Sequence, residues 1–154
     1  MSGTAPSSGA LRASAAGGAA LSGADRDLVT LRLPAAGAYL SVLRTAPASL
    51  ASRLDFTIDD IEALRIAVDE ACAMLLVQTV PGADLECSFL LTEDAIAVSV
   101  TVPTLDGEEP SRDTFAWTVL TALAGEVDSS VDADRRVTLS LRKHRGTYDA
   151  LSAT

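Results

Sequence analysis

Thr57 to Val80 reads TIDDIEALRIAVDEACAMLLVQTV, the longest apolar-periodic run in the chain. Thr57 is a good N-cap. Asp59 and Asp60 put negative charge in the first turn, where unpaired N–H groups and the helix dipole favour it. Ile61, Leu64, Val68, Ala71, Cys72 and Leu75 recur at three- and four-residue steps, one stripe of an amphipathic helix. Pro81-Gly82 stops the run. At about 100° per residue, Glu62, Arg65 and Asp69 share a narrow polar strip, spaced for Glu62–Arg65 and Arg65–Asp69 pairs. The remaining side is a second apolar face of Ala63, Ile66, Ala73, Met74 and Val77, with Glu70 in its middle. The helix is therefore expected to be buried on two sides, with a carboxylate inside the second. Glu70 then either reaches solvent or a basic partner at the rim, or is an acid or base facing a pocket, or the remnant of one.

The rest of the chain bounds what this helix serves. A length of 154 residues suits one domain with a tail, and an apolar share of 48% suffices for a core. The net charge of −9 argues against a nucleic-acid binder, which needs a basic patch to displace counterions. Cys72 and Cys87 lie in apolar runs without metal-type spacing and read as buried free thiols in a reducing compartment. His144 has no companion ligands. No segment approaches eighteen uninterrupted apolar residues, and the N-terminus does not have the form of a signal peptide, so a cytoplasmic protein without a membrane span is expected.

Residues 1–25 are Ala, Gly and Ser with little else, a composition that does not repay ordering. Asp27–Pro34 alternates as a half-buried strand. Ala35–Arg53 reads as a helix with Leu40, Leu43, Pro47 and Leu50 on one face, which Pro47 should kink or split. Arg44 stands off that stripe and reads as a solvated charge. Asp84–Leu91 and Ala95–Val102 alternate on either side of the Glu93-Asp94 turn, an antiparallel hairpin. Pro103–Asp113 is a polar loop. Thr114–Val127 reads as a third helix, capped by Asp113, with Phe115, Val119, Ala122 and Leu123 as its stripe and Trp117 to the side. Glu126–Val131 and Arg136–Leu141 read as two last strands, followed by a loose basic tail from Arg142. The order β, α, α, β, β, α, β, β argues an α+β fold: two layers, with helices on one face of a mixed, mostly antiparallel sheet. The expected division is a tail over 1–25, a domain over 26–143 and a flexible tail over 144–154.

Three stretches together resemble the anti-sigma factor/serine kinase family of the RsbW and SpoIIAB type, which has the GHKL (histidine-kinase-like ATPase) fold. They are Leu31-Arg32-Leu33-Pro34-Ala35 with the helix bearing Leu43-Arg44, then Leu54-Asp55-Phe56 leading to Ala67-Val68-Asp69-Glu70-Ala71-Cys72, then Phe115 to Ala124 with the acidic strand after it. The third is most similar to a mycobacterial-type subgroup of anti-sigma factors. The resemblance implies an E-x-x-x-N motif on the central helix, the Glu for phosphoryl transfer and the Asn for Mg²⁺. Here Glu70 is kept and the Asn position is Met74, a thioether that suits a hard cation poorly. The family's D-x-G-x-G survives only as Asp106-Gly107, followed by Glu108-Glu109. The glycine pair that opens the third helix in relatives is replaced by Thr114-Phe115-Ala116-Trp117, and Pro103–Asp113 is too short for a full nucleotide lid. In relatives an arginine placed as Arg44 is used against the partner.

What the resemblance implies is thus an anti-sigma factor that sequesters an alternative sigma factor by direct binding, through Arg44 and Leu40, and is released by a STAS-type anti-sigma antagonist. The degraded motifs lean away from an enzyme, with no cofactor expected and Met74 and Trp117 filling the space adenosine takes in relatives. The alternative is an active ATP- and Mg²⁺-dependent serine kinase that phosphorylates the antagonist while also holding sigma, with Glu70 in the acid/base position. A homodimer is compatible with the family, and neither nucleic acid nor membrane is an expected partner.

Overall fold

In the computed structural model, residues 27–146 are described; the expected N-terminal tail and the segment from 147 onward lie outside the described residues. Strands β1 (Asp27–Pro34), β2 (Asp84–Leu91), β3 (Ala95–Pro103), β4 (Glu126–Val131) and β5 (Arg136–His144) form one sheet in the order β1-β2-β3-β5-β4. Each of the four pairings is antiparallel. Helices α1 (Leu40–Ala51), α2 (Ile58–Leu76) and α3 (Phe115–Ala124) cover one face. The fold is α+β in two layers, consistent with the GHKL type.

Alternation along the strands decides which face the helices cover. Register places Cys87, Val100 and Leu139 in one row, and Phe89, Val98 and Leu141 in the next, all on the inner face and buried. The outer face of the same strands is hydroxyl-rich. Thr101 and Thr138 are hydrogen-bonded there at 2.8 Å, and Ser99 stands across from Ser140.

α2 is the middle helix, with α1 packed on one side and α3 on the other. Its Leu64, Ala67, Val68, Ala71, Cys72 and Leu75 are fully buried against the sheet. Burying each of the larger ones contributes about 1.5–3 kcal/mol. Thr57 Oγ1 accepts from the Asp60 N–H at 3.1 Å, the expected cap. The helix ends at Leu76, not Val80. Thr79 bridges to Thr104, and the Val80 N–H donates to the Pro103 carbonyl, so the sheet edge takes the last residues of the run.

Other expectations need correction. α1 runs through the buried Pro47 without splitting and is flanked by single 3-10 turns at Gly37–Tyr39 and Ser52–Leu54. α3 is capped by Thr114, whose Oγ1 accepts from the Trp117 N–H. It buries Trp117, Leu120 and Ala124, while Phe115 is 83% exposed. Nearly every residue of FAWTVLTALA is apolar, so periodicity alone does not choose the buried stripe. β5 continues through Arg142 and Lys143 to His144, pairing with Ala97, Ile96 and Ala95. The reason is a set of distant partners. Lys143 Nζ donates to the Leu123 carbonyl at 3.0 Å and lies 3.7 Å from Asp60, and the Gly146 N–H donates to Asp60 Oδ2. No helix of the described residues is long and apolar enough to cross a membrane.

Candidate functional site

The outward side of α2 departs most from its sequence pattern. Ile66, Ala73 and Val77 are exposed, and Val77 is 88% exposed. Ala63, Glu70 and Met74 are half-buried. The second apolar face is present but nothing in the described chain covers it. Glu70 forms no ion pair or side-chain hydrogen bond among the described residues, so the expected basic partner is not there. Met74 packs against the core at the edge of this face, in the same apolar cluster as Trp117. A carboxylate and a thioether one turn apart do not make an oxygen site for Mg²⁺. Among the described residues no group of three or more His, Cys, Asp or Glu is arranged to hold a metal.

The segment after β3 is tied down along its length. Thr104 is buried; its Oγ1 donates to the Arg135 carbonyl at 2.7 Å and accepts from the Gly107 N–H at 2.8 Å. Asp106 Oδ1 accepts from the Glu108 N–H, closing its own turn. Gly107 has φ 68°, and a Cβ there would meet the Arg135 side chain at 3.1 Å, so the turn itself requires glycine. Gln78 Nε2 donates to the Glu108 carbonyl at 2.6 Å and fastens the loop to the end of α2. Arg112 donates to Asp128 Oδ1 at 2.7 Å and stacks 4.7 Å above the Trp117 ring. Asp106 and Gly107 thus sit in a turn braced against Arg135, just before β5, with their polar groups used locally.

Arg44 lies on the α1 side of α2. Its Nε donates to Asp69 Oδ1 at 2.9 Å, and about half of its side chain is exposed. The expected Arg65–Asp69 pair is therefore replaced. Arg65 pairs with Glu62, whose carboxyl is held below its ordinary range first by that hydrogen bond. Asp69 turns across the helix interface to Arg44. Leu40 opens α1 one turn before Arg44 and packs, half-buried, on the core. Tyr39 and Val42, near 45% exposed, flank it and carried no sequence signal beyond being apolar. Asp69 was visible only as a helix-surface acid, since its partner is 25 residues away in the chain.

Among the described residues, cavities of about 550 and 320 Å³ lie along the sheet, the larger one reaching Thr121 of α3. The larger is bounded by Ser99, Ser140, Glu126 and Arg142, the smaller by Arg32, Glu86, Thr101 and Arg136, and neither touches Glu70 or Met74. His144 Nε2 donates to Glu126 Oε2 at 2.8 Å beside the larger one.

No family model matches the chain. The anti-sigma-F factor RsbW of Mycobacterium tuberculosis is 31% identical over 104 residues, 68% of this chain and 62% of that protein. The serine-protein kinase RsbW of Bacillus pumilus is 33% identical over 79 residues, 48% of this chain and 49% of that protein. The chain is of the RsbW type. It spans about half to three-fifths of the length of these curated relatives. A crystal structure of the RsbU and RsbW domains of a Mycobacterium tuberculosis protein superimposes with a TM-score of 0.57 at 15% identity, over 78% of this chain and 33% of that one. That likeness concerns the fold. Within the RsbW-type frame, Glu70, Met74 and the braced loop lie along one face of α2 and its C-terminal end, and Arg44 with Asp69 lies on the opposite flank, toward α1.

Proposed function

We propose that this RsbW-type chain is an anti-sigma factor that acts by binding, in the cytoplasm, without nucleotide and without kinase activity. It sequesters an alternative sigma factor through Arg44, Leu40 and the adjoining surface of α1, and a STAS-type antagonist releases it. The observation that carries this reading is the state of the α2 face beside the loop. Position 74 offers a thioether packed on the core, and Gln78 and Arg112 fasten the following loop to α2 and β4. A hard cation needs oxygen at that position, and a nucleotide lid needs freedom to move.

Support for the partner class comes from the relatives, one of which bears the name anti-sigma-F factor. Arg44 suits a partner carboxylate. Asp69 occupies its Nε, which leaves the terminal nitrogens for a second bond. The alternative reading, an ATP-dependent serine kinase acting on the antagonist, is favoured by one relative's name, serine-protein kinase, and by the retained Glu70.

Two measurements separate them. Calorimetric titration with Mg-ATP gives no heat under the proposal, and micromolar binding overturns it. Purified alternative sigma factors from the source genome are then tested against the chain. One of them binds, and Arg44→Glu weakens it by about tenfold or more without lowering the thermal midpoint appreciably. Unchanged affinity removes Arg44 from the interface.

A further inference from the structure

The uncovered side of α2 has a regular spacing. Ala63, Ile66, Glu70, Ala73 and Val77 follow one another by three, four, three and four residues. That is the step pattern of a helix–helix seam. At 1.5 Å per residue it runs about 21 Å. Ala63 and Ala73 are small enough to let another backbone approach, while Ile66 and Val77 offer side chains to bury. Helices α1 and α3 flank the seam without covering it.

We propose that this seam binds an amphipathic helix of a partner protein, one that carries a basic side chain within its own apolar stripe, placed opposite Glu70. Three observations select that occupant. First, the seam's apolar residues Ala63, Ile66, Ala73 and Val77 share one helix face on both sides of Glu70, so a helix laid along it is gripped over its length. Second, neighbouring acids are already matched: Asp69 to Arg44 and Glu62 to Arg65. Glu70 has no ion-pair or side-chain hydrogen-bond partner among the described residues, and it stands at the centre of the seam. A polar residue at such a position sets register and partner choice, because a mismatched neighbour leaves a charge desolvated and unpaired. Third, the seam disfavours a second copy of this chain. Glu70 is the seam's midpoint, seven residues from either end, so a two-fold contact centred there, parallel or antiparallel, sets Glu70 against Glu70. Like charges there oppose the contact, and a chain of net charge −9 adds to the repulsion.

This goes beyond the anti-sigma reading. The seam borders the Arg44–Asp69 pair, since Ile66 and Ala73 lie three and four residues from Asp69, but its occupant is defined by the chemistry around Glu70, so Glu70→Gln tests it separately from the Arg44→Glu test of sigma capture.

The test uses the full chain, ¹⁵N-labelled, and two synthetic helical peptides of about 18 residues. Both carry leucines at three- and four-residue steps; one has arginine at the centre of the stripe and the other glutamate. The arginine peptide moves the amide resonances of Ile66, Glu70, Ala73 and Val77 and binds about tenfold tighter than its twin. Glu70→Gln abolishes that preference while leaving the fold intact, as a half-buried carboxylate without a partner among the described residues allows. Equal affinity of the two peptides for the wild-type chain overturns the proposal, as do shifts confined to another surface. Sedimentation supplies a second check. Glu70→Leu, with the repulsion removed, self-associates. A wild-type dimer that Ile66→Asp dissociates assigns the seam to a second copy and overturns the proposal.

Discussion

The two sides of α2 are written in nearly the same alphabet and have opposite fates. Leu64, Val68, Cys72 and Leu75 face the sheet and are wholly buried. Ile66, Ala73 and Val77, on the other side, face solvent around Glu70. Apolar periodicity reports that a face is suited to burial; it does not report that the chain itself supplies the cover. Among the described residues the middle helix has the sheet beneath it and nothing above, so its apolar outer stripe is left open to an occupant from outside them.

Four predictions probe that contrast, in order of expected size. Leu75→Ala or Leu64→Ala lowers stability by about 2–5 kcal/mol, because a full side chain leaves a closed core. Ile66→Ala on the outer side changes it by about 0.5 kcal/mol or less. Urea denaturation compares them, and similar losses from both sides would erase the distinction. The second concerns the inner thiols. Burial first, and then the Asp69 charge, push the Cys72 thiol up to about 12; burial also raises Cys87. Neither reacts with a thiol reagent at pH 8 until the chain unfolds. The unfolded thiols ionise near 9.0 while the folded ones stay protonated, so the unfolded state binds fewer protons. Stability therefore falls as pH rises from 9.0 toward 12, on the order of 1 kcal/mol per pH unit for each thiol. Flat stability over that range would place the cysteines in a wetter core.

Third, a double-mutant cycle on Arg44 and Asp69 gives a coupling below about 1 kcal/mol for folding, as both side chains are partly exposed. A much larger coupling would make the pair a structural clamp between α1 and α2. The smallest effect belongs to Glu70→Gln, which leaves the thermal midpoint of the domain within about 1 °C of wild type, a change well under 1 kcal/mol. A marked loss would reveal a partner for the carboxylate within the fold.

Much of the architecture was legible because the strands alternate cleanly. β1, β2 and β4 begin and end where their patterns do, and the buried stripe of α2 is the one its spacing describes. What was hidden depended on contacts distant in sequence. Lys143 reads as part of a solvated basic tail until Asp60 and the Leu123 carbonyl are placed beside it. Asp69 reads as the i+4 mate of Arg65 until α1 brings Arg44 closer. α3 offered too many apolar residues for its inner side to be chosen, and Phe115 was assigned to the wrong one. For the candidate site, Glu70 and Met74 stood out from their types alone. The job of Asp106 and Gly107 in a turn braced by Arg135 needed the fold.

The central claim is that the outer face of α2 receives protein and not nucleotide. The most direct measurement follows the amide resonances of Ile66, Glu70 and Ala73 in one ¹⁵N-labelled sample, titrated first with Mg-ATP and then with the arginine-bearing helix. The resonances stay in place with Mg-ATP and move with the peptide if the claim is right. Movement with Mg-ATP, and none with the peptide, contradicts it.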